Sequence, residues 1–307
     1  MPQEISILQW FNHLCATMIM MLLAAVLPLS AQTPLANQLF GRESGPFTGP
    51  ALAIGSYARG CASGLEELPQ TGPTWQAMRL SRNRNFGHPD LVAFLKGLSQ
   101  TAHDFGWAGL YIGDMAQPRG GPMTSGHASH QIGLDADIWM LAPKSMTLSR
   151  DEREKISSVS VRSDNQRTVT DYWSPTHHAI MRAAALDERV DRIFVAAAVK
   201  VEMCKTATQA DRLWMQKIRP WSGHNAHFHV RLKCPQGGAS CQTQTPSVDM
   251  LSKGGDGCDD SLTYWVTDYL QPKKSTPTAP STTTRPKKSR EFTLDDLPKQ
   301  CALLVSR

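Results

Sequence analysis

The strongest periodicity in the chain runs from His88 to Gly106, HPDLVAFLKGLSQTAHDFG, where Leu91, Val92, Phe94, Leu95 and Leu98 recur at helical spacing. Pro89 falls in the first turn, where its missing N–H has no intrahelical partner to lose, so the pattern predicts an amphipathic helix starting there. Leu110–Ile112 reads as a short strand closed by Gly113. A glycine-rich stretch, PRGGPMTSGHASH, leads into a segment where Leu134, Ala136 and Ile138 alternate with Asp135, Asp137 and Trp139. That period of two predicts a strand with two carboxylates on one face. Ser174-Pro175 marks the start of a helix through Leu186. Arg192–Val195 reads as strand, and Val199–Cys204 and Asp211–Ile218 read as helical. Ala226–Leu232, AHFHVRL, alternates again and puts His227 and His229 on the same side. Residues 32 to 60, rich in Gly, Pro and Ser, show no period and are expected to be irregular.

Helices interspersed with short strands, and no internal repeat, predict an α+β class. The 307 residues, 41% of them hydrophobic, suit one compact domain with tails. The apolar run ATMIMMLLAAVLPL, Ala16–Leu29, followed by Ser30-Ala31, predicts a signal peptide over residues 1–31 and a mature chain from about Gln32. Pro28 and the short length argue against a stable membrane span, which needs roughly 20 apolar residues. Residues 32–270 form the expected folded domain. From 271 to 307 the chain becomes a linker and tail, because Pro272–Arg290 holds six Lys and Arg among Pro, Ser and Thr with no acidic residue.

Composition narrows the chemistry. A net charge of +5, from 32 basic and 27 acidic residues, suits a polyanionic envelope and falls short of a nucleic-acid-binding signature. Removing the leader takes away Cys15 and leaves six cysteines, Cys61, Cys204, Cys234, Cys241, Cys258 and Cys301. An even number with no Cys-x-x-Cys pair favours disulfides in an oxidising compartment over a zinc knuckle. Cys234 with Cys241 is the local pair, Cys301 is placed to pin the tail, and the spacing alone leaves all fifteen connectivities open.

Five of the ten histidines lie in two short segments, GHASHQIGLDAD and HNAHFHV. A catalytic zinc takes three nitrogen or oxygen ligands and keeps a position open for water. His130, Asp137 and His229 supply that set if the chain doubles back through Gly133. His227, on the same strand face as His229, is then placed to act as base or acid. Asp135 cannot reach the same metal as Asp137 without bridging, so it is expected to support a ligand from behind.

These residues resemble the penicillin-insensitive murein endopeptidases, within the lysostaphin, D-Ala-D-Ala peptidase and Hedgehog-type zinc superfamily. The resemblance rests on Gly113-Asp114-Met115, on GHASHQIGLDAD at Gly126–Asp137, and on His227-Phe228-His229-Val230-Arg231. Phe86–Leu91, Arg192–Val195 and Arg219-Pro220-Trp221 extend it over roughly Gly55 to Asp260 and the last cysteine. It implies a small antiparallel sheet with flanking helices and loops, zinc on His130, Asp137 and His229, and His227 beside the catalytic water. The implied substrate is the D-alanyl to meso-diaminopimelyl cross-link of peptidoglycan. His127, His224 and Asp164 match positions in or near the family's cleft, as further metal ligands or as hydrogen-bond partners of ligands. One departure stands out: Arg167 occupies a position where a histidine is expected, and a guanidinium cannot ligate a cation.

No Gly-x-Ser-x-Gly or Ser-x-x-Lys occurs to support a serine hydrolase. Two other readings remain: a D,D-carboxypeptidase or dipeptidase of the same superfamily, and a noncatalytic peptidoglycan-binding module stapled by zinc. The sequence says nothing of protein partners.

Overall fold

Alternation along two neighbouring strands sorts the molecule into an apolar layer and a polar layer, and the rest of the fold covers both. The computed structural model describes residues 33–271 and 285–305. The expected signal peptide and the Pro272–Thr284 part of the linker lie outside the described residues.

The described strands are β1 (Leu52–Ser56), β2 (Arg59–Ser63), β3 (Glu66–Glu67), β4 (Trp75–Ala77), β5 (Phe86–Gly87), β6 (Leu110–Ile112), β7 (Asp135–Trp139), β8 (Val190–Val195), β9 (Ile218–Pro220) and β10 (His227–Leu232). The helices used below are α1 (Ala36–Phe40), α2 (Pro89–Asp104), α3 (Arg150–Lys155), α4 (Pro175–Leu186), α5 (Ala197–Cys204), α6 (Arg212–Met215), α7 (Val248–Leu251), α8 (Asp260–Val266) and α9 (Gln300–Val305). A six-stranded sheet in the order β4-β6-β7-β10-β8-β9 forms the centre. Its four inner strands are antiparallel, and both edge pairs, β4 with β6 and β8 with β9, are parallel. The class is α+β, as expected.

One face of β7 and β10 presents Ala136, Ile138, Phe228, Val230 and Leu232 to the core. Leu91, Phe94, Leu95 and Leu98 of α2 and Ile180 and Met181 of α4 pack in the same cluster. Each buried aliphatic side chain of this size contributes roughly 1.5–3 kcal/mol. The first turn of α2 is closed by His88, whose Nδ1 accepts from the Asp90 N–H at 3.2 Å. The opposite face of β7 and β10 carries Asp135, Asp137, Trp139, His227, His229 and Arg231, in the register His229↔Asp137 and Arg231↔Asp135.

Two local expectations fail. Residues 32–60 are not irregular throughout: α1 and the hairpin of β1 and β2 lie there or begin there. The hairpin shows no alternation because Ala53, Ile54, Cys61 and Ala62 are all buried, so both faces are covered. The helix expected over Asp211–Ile218 is cut short at Met215, since Ile218 pairs with Ile193 as the first residue of β9. Tertiary pairing there overrides local helical preference.

The three disulfides are Cys61–Cys301, Cys204–Cys258 and Cys234–Cys241. The first ties α9 to β2 across 240 residues, in a small cluster where Phe40, Ile54, Phe292, Leu297 and Leu304 are buried together. Arg285 and Lys287, counted as linker above, pair with Glu291 and Asp296. Among the described residues no helix is long and apolar enough to cross a membrane.

Because the Cys61–Cys301 bond closes so long a loop, Cys301→Ser should lower stability by about 2–5 kcal/mol. Urea unfolding of oxidised wild type and variant measures this, and coincident midpoints would contradict it.

Candidate functional site

Most of the polar face of β7 and β10 is buried, and its carboxylates show how that is tolerated. Asp135 is fully buried and is held by Arg231 through two 2.8 Å contacts, Nε to Oδ1 and Nη2 to Oδ2. The same Oδ2 accepts from the His130 N–H at 3.1 Å. Burial raises the Asp135 pKa, but Arg231 and His229 outweigh it and hold the carboxyl well below its ordinary value. Asp114, which follows β6, accepts from Arg84 at 2.8 Å and Arg82 at 3.0 Å and lies 3.2 Å from His127 Nε2. Burial pushes this group up as well, yet His127, Arg84 and Arg82 bring it down to about 2.

Asp137 has no such guanidinium. Its Oδ1 lies 3.1 Å from His229 Nδ1, 3.4 Å from His130 Nε2 and 3.6 Å from His227 Nε2, and its Oδ2 lies 3.3 Å from His127 Nε2. Four imidazoles thus surround one carboxylate. Burial again raises the pKa of Asp137, and the His227, His130 and His229 rings reverse the direction.

The loop that brings His130 here depends on backbone few residues adopt. His130 itself has φ +66° and Gly133 φ +73°, and a Cβ at Gly133 would come within 2.5 Å of Leu65. Gln131 fastens the loop to the β1–β2 hairpin, accepting from the Gly60 N–H and donating to Ala58 O and Ala128 O. His227 and His229 need no such device, since alternation along β10 aligns them.

Buried polar groups normally find partners. Here His130 Nε2 and Asp137 Oδ1, 3.4 Å apart, are both buried without an aligned hydrogen bond. A close nitrogen and oxygen that do not hydrogen-bond one another fit a shared cation. One atom each of His127, His130 and Asp137 lie within 4.8 Å of one another, so this group can hold a metal. His229 is as close to Asp137 and differs from His127 in its support. Asp135 Oδ1 sits 3.3 Å behind its Nε2, which leaves Nδ1 facing Asp137. His127 is partly exposed, with Nε2 between two carboxylates.

The expected residues fall as follows. His130, Asp137 and His229 meet, with His227 and His127 beside them. His224 is next to the group, its ring 4.9 Å from His227 and 5.7 Å from His229 by centroid, and burial with the neighbouring histidines pushes its pKa down to about 4. Burial also lowers His227 and outweighs the opposing pull of Asp137. Asp164 is not drawn in: it stands exposed on the turn between Arg162 and Val169. A cleft of about 400 Å³ opens over His127, His224, His227 and His229, with Phe194 and Trp221 on its wall. A larger cavity, about 910 Å³, between His88, Arg189 and the Cys234–Cys241 loop holds none of these four histidines.

Residues 53–306 match the family described as penicillin-insensitive murein endopeptidase. The relative of that name from Klebsiella pneumoniae is 38% identical over 277 residues, 90% of this chain and 94% of its own. The one from Haemophilus influenzae is 41% identical over 244 residues, 80% and 82% of the two chains. The one from Escherichia coli is 37% identical over 277 residues, 90% and 94%. The chain belongs to the penicillin-insensitive murein endopeptidase family.

In this member of the family, reasoning from sequence gave no role to three residues the site depends on. Asp114 lay in the Gly113-Asp114-Met115 motif and Arg231 closed the motif His227-Phe228-His229-Val230-Arg231, so each had a visible signal. Arg84 had none. Arg231 is also sandwiched, its guanidinium 4.1 Å from the Tyr57 ring centre and 5.2 Å from that of Phe194. Removing one partner of a buried ion pair costs about 3–5 kcal/mol. Arg231→Met should therefore destabilise the fold by that order in urea titrations, and a loss below about 1 kcal/mol would show that Asp135 does not need it.

Proposed function

We propose that this protein is an exported, zinc-dependent endopeptidase that hydrolyses D-alanyl to meso-diaminopimelyl cross-links of peptidoglycan. The observation that carries the reading is the histidine cluster around Asp137, where His130 Nε2 and Asp137 Oδ1 are buried and unpaired beside a cleft lined by His127, His227 and His229, in a chain of this family. Its relatives are named as murein endopeptidases over nearly their whole length.

His130, Asp137 and His229 would hold the zinc, because these three are the most buried and Asp135 orients His229 from behind. A two-histidine, one-carboxylate set is the kind a catalytic zinc takes, and zinc there supplies Lewis-acid chemistry that brings the pKa of water to about 7 and polarises a carbonyl. His227 reaches the cleft from the strand that carries His229, and its Nε2 holds or passes the proton that moves between the attacking water and the leaving amine. His127, whose Nε2 lies between Asp114 and Asp137, is a further ligand or a hydrogen-bond partner of the ligand set. Arg82 and Arg84 keep Asp114 charged and in place for that task.

The three disulfides and the apolar leader in the sequence support export to an oxidising compartment, the periplasm. This chemistry needs no acyl-enzyme, so β-lactams, which acylate a serine nucleophile, have nothing to attack.

Cross-linked muropeptide dimers, incubated with the mature chain and followed by mass, test the reading. Dimers should become monomers, EDTA should stop the reaction, and added zinc should restore it. Release of D-alanine from intact dimers would make the protein a carboxypeptidase, and persistence of activity after complete metal removal would refute the zinc site.

His227→Ala should keep its zinc and lose about 10²- to 10⁴-fold in kcat. Elemental analysis alongside the kinetics separates the two effects, and wild-type turnover in the variant would remove His227 from the mechanism.

A further inference from the structure

Beside the cleft, exposed aromatic rings gather where a soluble surface would normally carry polar groups. Trp221 is 55% exposed, Tyr264 50% and Tyr269 40%. Single exposed apolar residues are ordinary, whereas a contiguous patch marks an interaction surface. These rings meet around Trp265, whose centroid lies 6.1 Å from Trp221, 4.7 Å from Tyr269 and 6.2 Å from Tyr264.

The backbone beneath the rings is tied down. Trp221 follows β9 and donates its N–H to Val195 O at 2.8 Å. Helix α8, which carries Tyr264 and Trp265, begins just after Cys258, itself bonded to Cys204 at the end of α5. Leu262 anchors the buried side of α8, and Arg167 Nε donates to Val266 O at its last turn at 2.9 Å. The groove among the rings has a volume of only about 30 Å³, and Arg162, Gln166 and Ser222 lie along it. It offers a surface, not an enclosure. Trp221, Ser222, Gly223 and His224 line both this groove and the histidine cleft, so the two are continuous.

We propose that this platform binds the glycan strand of peptidoglycan, with N-acetylated pyranose rings stacked on Trp265, Tyr269 and Trp221 while the peptide cross-link occupies the cleft. The proposal rests on the endopeptidase reading above. A pyranose presents C–H bonds on its faces, which suit the negative face of an aromatic ring. Its rim of hydroxyl and amide groups suits the guanidinium, amide and hydroxyl of Arg162, Gln166 and Ser222. A stem peptide instead carries carboxylates and separate side chains, which call for pockets and paired backbone groups. So shallow a groove provides neither. In the substrate every stem peptide is attached to a sugar, so saccharide continues outward from any cross-link held in the cleft.

The test compares two substrates: cross-linked muropeptide dimers that keep their disaccharides, and the same dimers after an amidase has removed the sugars. The wild type should show a higher kcat/KM on the first. Trp265→Ala and Tyr269→Ala should lose about threefold to tenfold on the sugar-bearing dimer, mainly through KM, and leave the sugar-free dimer as in the wild type. Trp265→Phe, which keeps a ring, should retain most of the advantage and shows that the alanine effect is not misfolding. Equal rates of the wild type on both substrates, or equal losses by the variants on both, would overturn the proposal.

If the wild type cuts neither substrate, the endopeptidase reading fails by itself. The platform is then read from quenching of tryptophan fluorescence by N-acetylglucosamine oligomers, using the metal-stripped full chain. Quenching that weakens in Tyr269→Ala supports the saccharide surface, and no quenching in the wild type overturns it.

Discussion

Asp137 is a buried carboxylate with no guanidinium to neutralise it, and that imbalance organises the site. Asp135 is answered by Arg231, and Asp114 by Arg84 and Arg82. Asp137 meets only imidazole rings, from His127, His130, His227 and His229. An isolated charge in such a place is too costly to keep. The neighbouring nitrogens do not settle the cost by hydrogen bonding, because His130 Nε2 and Asp137 Oδ1 remain unpaired. His127, His130 and Asp137 each bring one atom within 4.8 Å of the others, so the same cluster can hold a metal ion.

The two matched carboxylates have a different task. Asp135 touches the His130 backbone, the His229 ring and Arg231, so one side chain fixes a loop residue and a strand residue together. A loop that contains a left-handed His130 would otherwise be free to relax. The strength of the Asp135–Arg231 pair thus appears as positional precision at the histidines, which is the use that best accounts for a buried ion pair here. The β1–β2 hairpin adds to this through Gln131, and its own attachment to α9 by Cys61–Cys301 links the C-terminal tail to the loop geometry.

Much of this was legible in the sequence. Strict alternation at 134–139 and 226–232 gave the two site strands and put His227 and His229 on the carboxylate side, because a period of two leaves little freedom. The long α2 was equally plain from its apolar stripe. The hairpin within 52–63 was hidden because burial on both faces erases alternation, and β9 was masked by residues that would suit a helix. Within the site, the ligand candidates announced themselves by clustering, whereas Arg84 did not, since nothing local distinguishes a guanidinium that will be buried from one that will be solvated. Such partners follow only from the packing of distant segments.

Arg167 shows how a departure from a pattern can be read physically. Three residues after Asp164 the sequence carries a group that cannot bind a cation, and Asp164 itself stays in solvent, outside the histidine cluster. The guanidinium has other work: it donates to Val266 O, where the unpaired carbonyls of a helix C-terminus favour a positive charge. The turn between Arg162 and Val169 therefore acts as a clasp on α8 rather than as a second ligand arm. What this chain holds at that side of the cleft is a fixed aromatic face, and among the described residues the group that can hold a metal is the one around Asp137.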